Sequence, residues 1–143
     1  MSEFLVHFMN QEIIGESKGL RQAVEGCRKA AKEKVPVIFL GEVSTGKLLL
    51  AGFLHKESKN GQKPMLVIDC IKDQLMLQTI LNPGSAQQLL RHFEEGSIFF
   101  REVTSLGLED QKRLLDLLRL IEGMKIRALL SSSQNIHLMR LDK

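Results

Sequence analysis

The sequence has no tryptophan and no tyrosine, and phenylalanine is its only aromatic residue of that group. Base-stacking platforms for single-stranded nucleic acid therefore have little to be built from. It has two cysteines, Cys27 and Cys70. Two cannot form a disulfide framework, and neither they nor His7, His92 and His137 fall at metal-ligand spacing, so reduced thiols and no metal site are expected. No apolar run approaches the ~18 residues needed to span a bilayer. Met1–Asn10 lacks a basic segment followed by a long apolar one, so no secretory signal and no membrane partner are expected, and a cytoplasmic location is. The charge is nearly balanced, +3 with a pI near 9.0. The densest basic stretch, 28–34, reads as the solvated end of a helix, where cations suit the dipole. Direct DNA binding is not expected of this chain. Internal repeats and low-complexity segments are absent.

What is present is an ordinary globular composition, 43% hydrophobic and 26% charged over 143 residues, enough for one domain with a core. Residues 1–11 show no period and read as a linker, leaving 12–143 as the domain. Leu20, Ala23, Val24, Cys27, Ala30 and Ala31 recur at spacings of three and four, after Ser17 as a cap, and predict an amphipathic helix with Cys27 as a core residue. Four apolar segments predict strands: Val35–Leu40, Met65–Asp69, Ser97–Phe100 and Lys125–Ser131. Helices are predicted between them over Leu48–Ser58, Asp73–Leu81, Ala86–Phe93 (with Ser85 as cap) and from Gly107, with Leu108, Leu114, Leu115, Leu117 and Leu118 as the apolar set of the last. His55 reads as a packed or capping residue. Strands alternating with helices predict an α/β fold with a parallel sheet.

The chemistry gathers at Gly41–Leu48, GEVSTGKL. This is Gly-x-x-x-x-Gly-Lys directly after an apolar strand and before a helix. Backbone N–H groups of such a loop, with the positive end of the following helix, suit a phosphate. Gly41 and Gly46 permit the close backbone approach, and Lys47 reaches the β- and γ-phosphates. Leu48 stands where the generic motif has a Ser or Thr ligand for Mg²⁺. In parallel sheets ligands bind beyond the carboxyl ends of the strands. Those ends here carry the glycine loop, Arg101-Glu102 and Ser131–Ser133.

Taken together, these motifs resemble the AAA+ core of bacterial sigma-54-dependent activators, the NtrC-type response regulators, over about Ile13–Ile136. Ile13–Ser17 matches the family's IIGES, and Gly41–Leu48 its GESGTGKE loop. Ala51, Leu54, His55 and Ser58 match the helix that follows. Pro64 to Cys70 match the next strand, and Arg91, Phe93 and Glu94–Val103 the Walker-B run. Glu109–Leu115 match the next helix, and Arg127–Ser133 the strand ending at sensor I. The resemblance implies a three-layer P-loop NTPase (AAA+) sandwich with a mostly parallel central sheet. It implies ATP or ADP held by Gly41, Glu42, Val43, Ser44, Thr45, Gly46, Lys47 and Leu48, with adenine near Ile14 and Gly15. It makes Glu102 the catalytic carboxylate and Ser133 the sensor-I residue. It softens the Leu48 substitution too, since the family carries Glu there.

The departures from the family limit what it implies. Arg101 replaces the Walker-B aspartate. Unit charges ~4 Å apart interact by roughly 4 kcal/mol at an effective dielectric near 20, so this exchange argues against Mg²⁺. Only Ile71–His92 separates Cys70 from Phe93, too short for the GAFTGA loop that touches sigma-54. The family's arginine fingers, helical lid, sensor-II arginine and helix-turn-helix correspond to positions past residue 143. The leading expectation is a degenerate nucleotide-binding domain of a sigma-54-type, two-component transcription regulator, with little or no hydrolysis. The implied partners are nucleotide, itself or other AAA+ subunits, and sigma-54 polymerase only by family likeness. Two alternatives stay open: an active ATPase with a rearranged metal site, and an inert interaction module. A separate open reading of Arg101 puts it on the γ-phosphate in place of the missing metal.

Overall fold

The computed structural model describes residues 13–14, 19–33, 36–41, 46–59 and 61–133. The linker 1–11, the Ser17 cap, Gly15 and the loop residues Glu42, Val43, Ser44 and Thr45 lie outside the described residues. In chain order the elements are β1 (Ile13–Ile14), α1 (Gly19–Ala31), β2 (Val37–Leu40), α2 (Lys47–Glu57), β3 (Met65–Asp69), α3 (Gln74–Leu81), α4 (Pro83–Leu90), β4 (Ser97–Arg101), α5 (Leu108–Gly123) and β5 (Arg127–Ser132). The strands form one sheet in the order β1-β2-β5-β4-β3, and every pairing is parallel. The four predicted strands are all present. β1 is additional: two residues pair with Ile38 and Phe39, too short a segment to display an alternation. β2 and β3 are successive in sequence, yet β5 and β4 lie between them.

Alternation along the strands builds the three layers, because successive side chains point to opposite faces. Ile38, Ile68, Ile98, Phe100 and Leu130 share one core with Leu77, Ile80, Leu90, Leu114 and Leu118 of α3, α4 and α5. Val37, Phe39, Phe99 and Leu129 share the other with Ala23, Cys27 and Ala30 of α1 and Ala51 and Leu54 of α2. In that second core Phe39 and Phe99 meet edge-to-face, with ring centroids 6.0 Å apart. Cys27 is fully buried there, as its helical spacing predicts.

Element ends follow local chemistry. α4 starts earlier than predicted. Asn82 Oδ1 accepts from the Gly84 N–H at 2.9 Å, and Pro83, whose fixed φ suits a first turn, sits at its start. Ser85 is not the cap; its hydroxyl donates to the Thr79 carbonyl at 2.6 Å. α5 ends in a Schellman arrangement: the Ile126 N–H reaches the Ile121 carbonyl at 2.9 Å and Lys125 N–H the Glu122 carbonyl at 3.1 Å. Lys125 takes the left-handed position, φ 60°, where glycine is usual. A side chain at Gly96 would collide with the Pro64 carbonyl, so only glycine admits the β3 and β4 entrances this close together. His55 is buried. Its Nε2 lies 2.6 Å from the Lys63 carbonyl and its Nδ1 2.8 Å from Ser97 Oγ. A carbonyl only accepts, so Nε2 carries the proton, and His55 ties α2 to the start of β4.

Arg127, the first residue of β5, closes α1. Its guanidinium donates to the carbonyls of Ala30 at 3.0 Å, Ala31 at 3.2 Å and Glu33. A cation at a helix carboxyl end satisfies carbonyls that have no intrahelical partner.

Candidate functional site

Gly41 follows β2 directly, and its N–H donates to the Ser132 carbonyl at 3.2 Å. Gly46 precedes α2 with φ 78° and ψ 24°, a left-handed conformation. An added Cβ there would meet nothing within 4 Å, so the requirement for glycine is one of backbone conformation alone. Gly46, the N-cap of α2, supplies no side-chain hydrogen bond to its first turn. Leu48 and Leu49 are exposed, by 41% and 79%, so Leu48 faces solvent.

Lys47, the first residue of α2, is only 7% exposed. Its ammonium donates to the Gly41 carbonyl, to Ser133 Oγ at 3.1 Å and to the Ser132 carbonyl at 3.5 Å. Ser133 Oγ lies 2.6 Å from Glu102 Oε1, and the Ser133 N–H donates to Glu102 Oε2 at 3.3 Å. An ammonium only donates and a carboxylate only accepts. Ser133 therefore accepts from Lys47 and donates to Glu102, a one-residue relay between cation and anion.

Glu102 follows β4 at φ 60° and ψ 50°. A non-glycine residue there costs about 1–2 kcal/mol and needs its surroundings to hold it. The Glu102 N–H donates to Ser131 Oγ at 3.2 Å, and its carbonyl accepts from the Ser105 N–H at 3.1 Å and hydroxyl at 2.7 Å. Ser132 Oγ lies 2.9 Å from Thr104 Oγ1. Each serine of 131–133 thus joins the β5 end to a different group. The sequence flags Ser133; it gives no sign of Thr104, because its partner Ser132 is 28 residues away along the chain.

Arg101, half-buried, ends β4 opposite Asp69. Asp69 Oδ1 turns into its own loop, accepting from the N–H groups of Ile71 at 2.8 Å and Lys72 at 3.0 Å. Ile14 sits beside Phe39 at the sheet margin. Burial first, then the carboxylates of Asp69, Glu102, Asp110 and Asp73, push the Cys70 thiol up to about 12, which makes it inert as a nucleophile.

The fold family implies Mg²⁺ beside the phosphates. The described donors do not fit it: an arginine ends β4, an alkyl side chain follows Lys47, Asp69 Oδ1 is held by backbone, and Glu102 by Ser133. Hard divalent cations need free oxygen ligands. A cavity of about 340 Å³ lies at the opposite, amino-terminal edge of the sheet, lined in part by Pro36, Ser97, Ile126 and Arg127, and is separate from this rim.

Comparison with known proteins agrees with this geometry. The family model described as "Sigma-54 interaction domain" matches residues 14–141. Transcriptional regulator VasH of Vibrio cholerae is 26% identical over 136 residues, covering 87% of this chain and 25% of that protein. The luminescence regulatory protein LuxO of Vibrio campbellii is 29% identical over 116 residues, covering 73% and 26%. The chain thus spans about a quarter of the length of these curated relatives. Among solved structures, NtrX from Brucella abortus in complex with ATP superposes with a TM-score of 0.67 at 21% identity, over 87% of this chain and 32% of that one. The P-loop NTPase domain of an Escherichia coli sigma-54 activator gives 0.55 at 18% identity, over 87% and 88%. At such identities these likenesses establish the fold, a P-loop NTPase of the AAA+ kind. With the family model spanning nearly its full length, the chain belongs to the sigma-54 interaction domain family.

Proposed function

We propose that residues 12–143 are the nucleotide-binding domain of a sigma-54-type transcription regulator. ATP or ADP is held at Gly41–Leu48, with Lys47 on the phosphates and adenine beside Ile14 and Gly15, and turnover is weak or absent. The supporting observation is the convergence of the Lys47 ammonium, the Ser133 hydroxyl and the Glu102 carboxylate at the end of the glycine loop. A buried lysine kept at that position is placed to exchange its internal acceptors for phosphate oxygens. NtrX, of the same fold, has been crystallised with ATP. Leu49 and Leu75, 79% and 85% exposed, lie in the first turns of α2 and α3 at the same rim. They support contact with another subunit of this kind; the setting of this proposal is cytoplasmic and two-component.

The test is titration of the purified chain with a fluorescent ATP analogue. Lys47→Ala removes charge-assisted hydrogen bonds worth about 1.5–3 kcal/mol, so affinity should fall roughly tenfold or more. Binding that is absent, or unchanged by Lys47→Ala, would remove the nucleotide reading.

The survival of Glu102 at the strand end favours a second reading, hydrolysis. Phosphate release over many turnovers, abolished by Glu102→Gln, would establish it. The expected result is release at background, because Glu102 stands beside Arg101 and not beside a metal carboxylate.

A further inference from the structure

Alternation along β4 puts Arg101 on the sheet face that packs against α2. It follows Phe99 by two residues, and Phe99 is buried with Ala51 and Leu54 of that helix. The carboxylates nearest in the chain and register each already hold hydrogen bonds through at least one oxygen. Asp69 Oδ1 holds the Ile71 and Lys72 N–H groups, Asp73 Oδ2 accepts from the Asp69 N–H at 2.9 Å, and Glu102 is held by Ser133. Among the described residues Arg101 forms no ion pair and no side-chain hydrogen bond. A half-buried guanidinium left this way is costly unless a ligand completes it.

We propose that Arg101 takes the place of the metal: the site binds a nucleoside triphosphate as its metal-free anion, with the guanidinium on the terminal phosphate. This rests on the nucleotide reading above. The planar fork of arginine matches two phosphate oxygens, a pairing a lysine ammonium makes only as a point charge. Lys47 then serves the loop side of the phosphate chain and Arg101 the β4 side. A divalent cation bound to the same oxygens meets the guanidinium as a like charge, so Mg²⁺ competes with Arg101 instead of assisting. The arrangement also explains how Leu48 can face solvent: no oxygen ligand is required of it.

The experiment measures ATP and ADP affinity of the full 143-residue chain calorimetrically, in EDTA and in saturating Mg²⁺. Metal-free ATP should bind, and Mg²⁺ should weaken it by about tenfold or more. Arg101→Ala should weaken metal-free ATP about 10- to 100-fold, the range for one charge-assisted pair, and ADP much less. Arg101→Asp should reverse the preference toward Mg²⁺-ATP. Wild-type binding that requires Mg²⁺, or metal-free affinity unchanged by Arg101→Ala, overturns the inference and leaves the nucleotide reading intact. No binding in either condition, or binding indifferent to Lys47→Ala, overturns that reading and this inference with it.

Discussion

Replacing Arg127 by alanine should destabilise the fold more than any surface substitution. The guanidinium donates to Ala30 and Ala31 at 3.0 and 3.2 Å and to the Glu33 carbonyl. It thereby closes the last turn of α1 against the start of β5. A hydrogen bond from a charged donor is worth about 1.5–3 kcal/mol net. The bonds share one planar group and are not additive, so the loss is about 3 kcal/mol. For a domain of this length each kcal/mol moves Tm by roughly 4 °C, giving a fall of about 12 °C. Burial lowers the Arg127 pKa, opposed by Glu33. The ordinary guanidinium value is so high that the group stays charged at every practical pH. The deficit should therefore be the same at pH 6 and pH 9. Urea unfolding followed by circular dichroism measures it, with Arg127→Lys recovering part, since an ammonium lacks the fork. A loss below about 0.5 kcal/mol, or full recovery by lysine, would refute the reasoning.

Lys125→Gly should stabilise by about 0.5–1 kcal/mol, because the left-handed position at the end of α5 suits glycine and the lysine side chain is exposed. A lower urea midpoint in the variant would count against it. Burial pushes the thiols of Cys27 and Cys70 up from 9.0 to about 11 and about 12. Both states keep their protons below pH 9. Above it the unfolded chain loses them first, so stability should fall between about pH 9 and pH 12. The absence of tyrosine removes phenols from that window, and Cys27→Ala should flatten part of the slope. Rapid reaction of either native thiol with an aromatic disulfide reagent at pH 8 would contradict their burial.

Much of the fold was legible because parallel strands buried on both faces read as apolar runs, and helices as three-and-four spacing. The expected strands Val35–Leu40, Met65–Asp69, Ser97–Phe100 and Lys125–Ser131 each overlap an observed one, with bounds off by up to two residues. β1 did not announce itself, because two residues carry no period. Ser85 attracted the cap assignment that belongs to Asn82, since both residue types favour it and only the Pro83 turn decides between them.

The sequence by itself determined the Gly-x-x-x-x-Gly-Lys spacing after an apolar strand, the family and the strand ends at which polar groups would collect. Those follow from local chemistry: glycine spacing, apolar period and residue identity. Tertiary structure alone decided which of those groups meet. Lys47 and Ser133 are 86 residues apart and Ser133 and Glu102 31 apart. The relay among them exists only because β5 inserts between β2 and β4. The separate pairing of β3 with β4 sets Arg101 across from Asp69. Strand order is set by burial of both sheet faces at once, a property of the whole chain that no window of residues contains.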